Sequence, residues 1–482
     1  MILGNRSALW NTGLSYGYPS LVFNLLYGGS GFLCLNLCMG EMSSALPFSG
    51  GIFGFVRATL GPFMGFLVAC SEVVYCITTI VLRVQRLPVG DVSANTALVI
   101  ASLGICLAFN LVGGKPIFVV TSLIGFYSMA LLLIYLFGTL SSVESDSVDF
   151  NEYASPLIAM TWSNVMGARI TTGSQFNGLQ FLPLLSDLLT QPRDQIPRVM
   201  LISCIVFLVM SVFVSLAAIS QAPGSAGLSS VDLPLKYGFA WILNTDTNTA
   251  MWLDAPCALG AMFGLFYCGG RQLLAITKSG LLPPLFKETI PGSDTPYVCY
   301  TFVAVFGVGL NLFGLNYPEY LATIRAISLI AAYHIFISCF IAYMVFRRKF
   351  SSMTRTFVNP LGDFAAIYGI INFLSAAVGV IFYSSMSPVF LVVNGSYLIF
   401  ATIFFWTYLV HNQKFSEEEK KVMFKAYLIN ANRNMRKNRL KNNKVGPSSE
   451  NASGNGSRSG TNNNTNTATR GEGLDRWNLI FC

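Results

Sequence analysis

Residues Gly167 to Arg198 read GARITTGSQFNGLQFLPLLSDLLTQPRDQIPR, and as one membrane-crossing helix the stretch is badly made. Its middle holds Thr171-Thr172-Gly173-Ser174-Gln175 and then Asn177-Gly178, inside a window otherwise apolar enough to span. Polar side chains and glycines are tolerated at membrane depth only where the backbone lines a cavity or is buried in protein. Two half-helices meeting at a polar, glycine-bearing break are a way to build a midplane binding site. A buried re-entrant loop or a simple kink is the plainer alternative.

The rest of the chain sets the context for that break. Of 482 residues, 53% are hydrophobic, 13% aromatic and only 11% charged. Soluble domains carry about 25% charged residues, so this composition belongs to an integral membrane protein. The net charge of +8 lies mostly in loops and the tail, which argues against a nucleic-acid partner. The 11 cysteines, Cys34, Cys38, Cys70 and Cys76 among them, are scattered singly in apolar segments without CxxC or metal spacing. They read as small core- or lipid-facing residues.

About 20 apolar residues cross the hydrocarbon core. Spans of that kind are expected at about Leu21–Leu46, Phe63–Leu82, Thr96–Val112, Ile117–Leu140, the broken Gly167–Leu189 and Val199–Ile219. The second half supplies Met251–Ile276, Val298–Leu315, Ile327–Phe346, Ala365–Tyr383 and Val389–Val410, making 11 in all. Glycine-rich Ser49-Gly50-Gly51 reads as a turn. Residues 1–411 are therefore the transmembrane domain, and 412–482 a basic tail that turns Ser-, Gly-, Asn- and Thr-rich and cannot bury enough apolar area to fold alone.

Loop charges give the expected orientation. Arg57, Lys115, Arg193, Arg198, Arg271, Lys278, Lys287 and Arg347-Arg348-Lys349 fall on the side of the tail, while Glu144, Asp146, Asp149, Asp232 and Glu319 fall opposite. The positive-inside rule makes the basic side, and the C-terminus, cytoplasmic, in a plasma membrane or an endomembrane. Arg83 and Arg86 break this pattern. Asp254 lies near enough to the outer end of its span to be a solvated flank. Leu21 then starts outside, so Leu3 to Tyr18 become the second half of a first helix whose opening half is missing, with Leu3-Gly4-Asn5 at its break. That makes 12 helices, with helices 1 and 6 interrupted at matching points of a five-plus-five inverted repeat.

Five stretches carry a family resemblance: Leu3-Gly4-Asn5 with Trp10-Asn11-Thr12-Gly13-Leu14; Glu41 through Pro47 with Gly50-Gly51 and Arg57 through Pro62; Pro192 through Arg198; Gly270-Arg271-Gln272 through Lys278-Ser279-Gly280 and Thr295-Pro296; and Arg355 with Asn359-Pro360-Leu361-Gly362. Together they resemble the amino acid–polyamine–organocation transporter superfamily, in its ethanolamine permease-like and amino acid permease branch, from about Leu3 to Val410. The resemblance implies an all-helical transporter of that five-plus-five kind. It departs at Leu3-Gly4-Asn5, where the family has glycine-serine-glycine, and late in helix 6, where an acidic pair is reduced to Asp187-Leu188. The family's helix 6 glutamate corresponds to Asn177 or to Gln180.

A zwitterionic or amino-alcohol substrate needs partners for an ammonium and for a carboxylate or hydroxyl. Free N–H groups at half-helix N-termini and carbonyls at C-termini supply them. The expected substrate-binding residues are Gly4 and Asn5 from helix 1, Gly173, Phe176, Asn177 and Gly178 from helix 6, and Glu72. Phe176 is an aromatic lid or cation–π partner, or ordinary packing. Glu72 sits mid-span, where a carboxylate is costly and is by default functional: it pairs with a substrate amine or carries a proton, the alternative being a structural bond to a neighbouring helix. His334, also mid-span, reads as packing more readily than as a proton relay.

No nucleophile–base pair, phosphate loop or metal site is legible, so no enzyme, catalytic residue or bound cofactor is expected; the coupling ion would be H+ or Na+. The expected function is secondary active transport of amino acids or ethanolamine-like amines by alternating access, with a small-molecule substrate and the lipid bilayer as partners. The competing reading is a non-transporting nutrient sensor or a degenerate transporter homologue.

Overall fold

Backbone groups in hydrocarbon have no water to bond, so a chain this apolar satisfies them internally in helices. The computed structural model describes residues 10–85, 92–143, 160–176, 178–221, 224–229, 231, 233–291, 295–383 and 388–410, with six further positions between 420 and 435. The described secondary structure is helical throughout.

After a 3₁₀ turn at Asn11–Tyr16 come α1 (Tyr18–Ala45), α2 (Gly51–Leu60), α3 (Pro62–Val84), α4 (Val92–Val112), α5 (Gly114–Val143) and α6 (Trp162–Gln175). A 3₁₀ segment, Leu179–Leu188, continues α6 beyond a break, and α7 (Pro192–Ile219) follows. Three short helices, α8 (Gly224–Leu228), α9 (Lys236–Leu243) and α10 (Thr247–Met251), precede α11 (Ala255–Lys278). Then come α12 (Tyr297–Asn316), α13 (Tyr320–Lys349), α14 (Asp363–Phe382) and α15 (Val389–Phe404), which runs into a π-helical turn at Phe405–Leu409.

Nine of the described helical spans are long and apolar enough to cross a membrane; Thr96–Val112 and Leu179–Leu188 are shorter apolar helices. Each expected span corresponds to one of these elements, with helix 6 starting earlier, at Trp162. The interior is built where α1 packs on α7, α3 on α11 and α13, and α13 on α14. At its centre Phe32 stacks on Phe176 at 4.9 Å and meets Phe336 and Phe373 edge-on at 5.3 and 5.1 Å.

The expected Ser49-Gly50-Gly51 turn is present, and it opens a whole helix, α2, whose residues are buried except for Leu60. Three other local expectations are corrected. Arg57, counted with the loop charges, lies inside that helix and is 1% exposed. Asp254, expected on a solvated flank, is buried, with Tyr127 of α5 and Cys257 of α11 as its electrostatic neighbours. The end of α8 and the stretch after it hold the 3₁₀ turn: Asn11 Nδ2 donates to the carbonyls of Leu228 at 2.7 Å and Val231 at 2.6 Å. Arg83 is not on a loop but in the last turn of α3, buried; Arg86 lies outside the described residues.

Candidate functional site

The break in helix 6 has a local cause. Gly178 adopts φ +113°, a left-handed conformation that an L side chain rarely takes. The Gly178 N–H donates instead to the side-chain Oε1 of Gln180 at 2.9 Å. Pro183, which has no N–H to donate, lies inside the following ten residues, and these wind as 3₁₀ rather than α. A 3₁₀ run of that length is uncommon and marks a hinge or strain.

Of the expected site residues, Gly4, Asn5 and Asn177 lie outside the described residues. Gly173 is in the last turn of α6, and Gly178 lies at the break. Phe176 caps α6 and is fully buried, its ring stacked on Phe32 and edge-on to Phe207 of α7 at 5.3 Å.

Glu72 faces the bundle interior and is 1% exposed. Its electrostatic neighbours are Cys76 on its own helix, Cys268 of α11 and Cys339 of α13. The backbone amide of Phe53, in the first turn of α2, hydrogen-bonds its carboxylate. The N-cap of α2 is Gly50, which has no side chain to cap with, so Glu72 serves that orphan donor from another helix. Its Oε2 has no hydrogen-bond partner among the described residues.

Glu72 is not the only buried polar group here with an open position. One turn on, Tyr75 places its ring 6.0 Å from that of Phe181 and its hydroxyl beside the Gln180 amide. The Tyr75 hydroxyl and Gln180 Nε2 are buried without a hydrogen-bond partner, as are both side-chain polar atoms of Gln272 on α11. Gln272 approaches the start of α2: a Cβ on Gly51 would lie 3.5 Å from its Oε1 and 3.0 Å from Leu184. Tyr75 and Gln180 thus meet beside the helix 6 break, with Glu72 one turn from Tyr75, and Glu72 and Gln272 both facing the first turn of α2. Buried polar atoms cost about 1–3 kcal/mol each when unpaired, so such a set is retained where something else comes to bond it. Tyr75 and Gln272 were missed in the sequence, where each is an ordinary residue of an apolar helix.

Toward the tail side, Ser49, Leu184, Asp187, Arg271, Leu274, Ala275 and Lys278 line a small cleft, open to solvent, with a cavity volume of about 10 Å³. Asp187, on the 3₁₀ segment, pairs there with Arg271 of α11 at 3.4 Å, and Arg271 Nε donates to the Tyr267 hydroxyl at 3.1 Å. This ion pair joins the segment beyond the break to a continuous helix. His334 is held by Ser71, Oγ to Nδ1 2.8 Å, while Ser71 also meets the Tyr397 hydroxyl at 3.0 Å.

A helical membrane bundle with one helix interrupted beside buried, half-satisfied polar groups is the architecture of a membrane transport protein rather than an enzyme. The chain belongs to the amino acid permease family, which it matches over residues 2–420. It is 24% identical to the branched-chain amino acid permease BcaP of Bacillus subtilis over 388 residues, covering 73% of this chain and 79% of that one. It is 22% identical to a methylthioribose transporter of the same bacterium, covering 71% and 77%. To the chloroplastic cationic amino acid transporter 7 of Arabidopsis thaliana it is 21% identical, covering 74% and 64%. Among solved structures, a Na+-coupled sialic acid symporter in a substrate-bound, outward-open state matches with a TM-score of 0.41 at 9% identity, over 78% of this chain and 89% of that one. That score is too low to add to the family assignment.

Proposed function

We propose that the chain is a secondary active carrier of amino acids or related small amines, working by alternating access and driven by H+ or Na+. The observation that carries this reading is the open Oε2 of Glu72, buried in the bundle one turn from Tyr75, which meets Gln180 and Phe181 just beyond the helix 6 break. A carboxylate at membrane depth costs about 3 kcal/mol or more, and capping α2 occupies only part of it. The remaining oxygen is a partner for a substrate ammonium or a site for a transported proton, with Tyr75, Gln180 and Gln272 as neutral partners around it.

Gly173, Phe176, Asn177 and Gly178 supply the substrate's surroundings from helix 6, and Gly4 and Asn5 from helix 1. The break frees backbone N–H and carbonyl groups for the charged ends of the ligand. The Asp187–Arg271 pair closes the tail side in this conformation; tilting the 3₁₀ segment about Gly178 would open it. The basic side and the C-terminus face the cytoplasm, and the relatives' substrates make neutral and cationic amino acids the first to try. Purified carrier in proteoliposomes, with H+ and Na+ gradients imposed separately, should accumulate a labelled amino acid or ethanolamine under one gradient. Binding without accumulation under either would favour a sensor.

A further inference from the structure

Arg169 lies in the middle of α6 and is fully buried. One nitrogen, Nη2, is well served: it donates to the Asn372 carbonyl, to Asn372 Oδ1 at 2.9 Å and to Ser375 Oγ at 3.0 Å. Asn372 is held in that orientation from behind, its Nδ2 donating to the Tyr27 carbonyl at 2.7 Å. Close packing supports the arrangement, since a Cβ on Gly31 would strike the Asn372 side chain at 2.7 Å and one on Gly379 would press on Arg169 Cβ at 3.0 Å. The guanidinium lies over the Tyr27 ring, 4.5 Å from its centroid.

The other donors are not served. Nε and Nη1 are buried without a hydrogen-bond partner, and so is the hydroxyl of Tyr333, an electrostatic neighbour of this guanidinium on α13. No described ion pair includes Arg169. A guanidinium does not shed its proton in proteins. Neutral acceptors and one aromatic face return only part of what its hydration supplied, and an unpaired charge in a membrane interior is strongly disfavoured. Two open nitrogens, carrying three N–H donors, and a hydroxyl beside one buried positive charge are the donor set of an anion site.

We propose that Arg169, with Tyr333, binds one small monovalent anion, held by Nη1, Nε and the Tyr333 hydroxyl. The chemistry fits a free halide or a ligand's carboxylate. The halide case is independent of the transport reading; the carboxylate case rests on it and would assign the substrate's acid group to this site.

The test is thermal unfolding of the full-length chain in detergent at constant ionic strength, which needs no transport activity. Sodium methanesulfonate is the bulky reference anion. Sodium chloride is the halide probe; leucine and its decarboxylated amine, both in methanesulfonate, form the carboxylate arm. An anion that binds only the folded chain raises Tm by several degrees once well above its dissociation constant. A rise with chloride identifies the halide; a rise with leucine but not the amine identifies the carboxylate. Either rise should vanish in Arg169→Gln. Tyr333→Phe keeps the ring and packing, and should move the half-saturating concentration up by about tenfold for one lost hydrogen bond. The same Tm in all four solutions overturns the site, as does a rise that Arg169→Gln, or Tyr333→Phe where Arg169→Gln does not fold, leaves unchanged.

Discussion

Glu41 and Glu72 are both at most 1% exposed, on helices α1 and α3, yet their surroundings differ atom by atom. Glu41 is saturated. Arg355 forms an ion pair with its Oε1, and Arg347 stands 4.0 Å from the same atom. The Tyr343 hydroxyl donates to Oε2 at 2.5 Å, and the Asn359 N–H donates to it at 3.1 Å. Those partners come from α13 and from the stretch between α13 and α14, so one carboxylate ties three parts of the bundle together on the tail side. Glu72 has an amide from α2, three thiols as electrostatic neighbours and an open oxygen. A carboxylate with every lone pair filled cannot exchange partners without undoing the fold. One with a vacant oxygen can accept and release a ligand.

This contrast breaks first at Glu41. Glu41→Gln leaves Arg355 without its anion, while Arg347 keeps Asp363 at 3.3 Å, and losing one member of a buried pair costs about 3–5 kcal/mol. Chemical unfolding in detergent should show a loss of that size or no folded carrier; a near-neutral result would remove the structural half of the comparison. Next is the hinge. Gly178→Ala forces an L side chain to φ +113°, at about 1–2 kcal/mol, visible as a lower Tm together with slower uptake. Asp187→Asn should change stability by no more than about 1 kcal/mol, because that pair is partly open to water, with side chains 25% and 11% exposed. A loss as large as that at Glu41 would make it a structural clamp rather than a gate.

The smallest effect is at Asp246, which caps α10 by accepting from the N–H groups of Asn248 and Thr249 and from the Thr249 hydroxyl. The Thr249 hydroxyl, with the amides, holds its carboxyl below the ordinary value. The cap is therefore fully present above the unfolded carboxyl range, near pH 4, and is lost as pH falls through the lower folded value. Amide exchange at Asn248 and Thr249 should quicken only in that acid range. Unchanged exchange there would show that the cap holds nothing.

The helix 6 break was legible because polar residues and glycine interrupt an apolar run, and Gly178 is the residue that permits the turn. The inward position of Glu72 was legible from the cost of a carboxylate in lipid. What surrounds it was not. GIFGFVRATL, with two glycines and only ten residues, carries no signal that distinguishes a turn from a buried helix whose cap comes from α3. Tyr75, Gln180 and Gln272 draw their surroundings from the packing of α3, the 3₁₀ segment, α2 and α11, which no local pattern encodes. Arg169 was hidden in the same polar run that revealed the break. The charge of Asp254 suggested solvent, whereas its side chain is buried beside Tyr127 and Cys257.

The central claim is that Glu72 is kept for its open oxygen rather than for the fold. Glu72→Gln retains the shape and an oxygen able to accept from the Phe53 amide while deleting the charge. The measurement is gradient-driven uptake per folded carrier for this variant and the unaltered chain, from about pH 5 to 8, with unfolding followed in parallel. The account predicts that stability holds within about 1 kcal/mol, the net worth of one hydrogen bond, while uptake is lost. Coincident uptake curves, or a stability loss as large as that of Glu41→Gln, would contradict it.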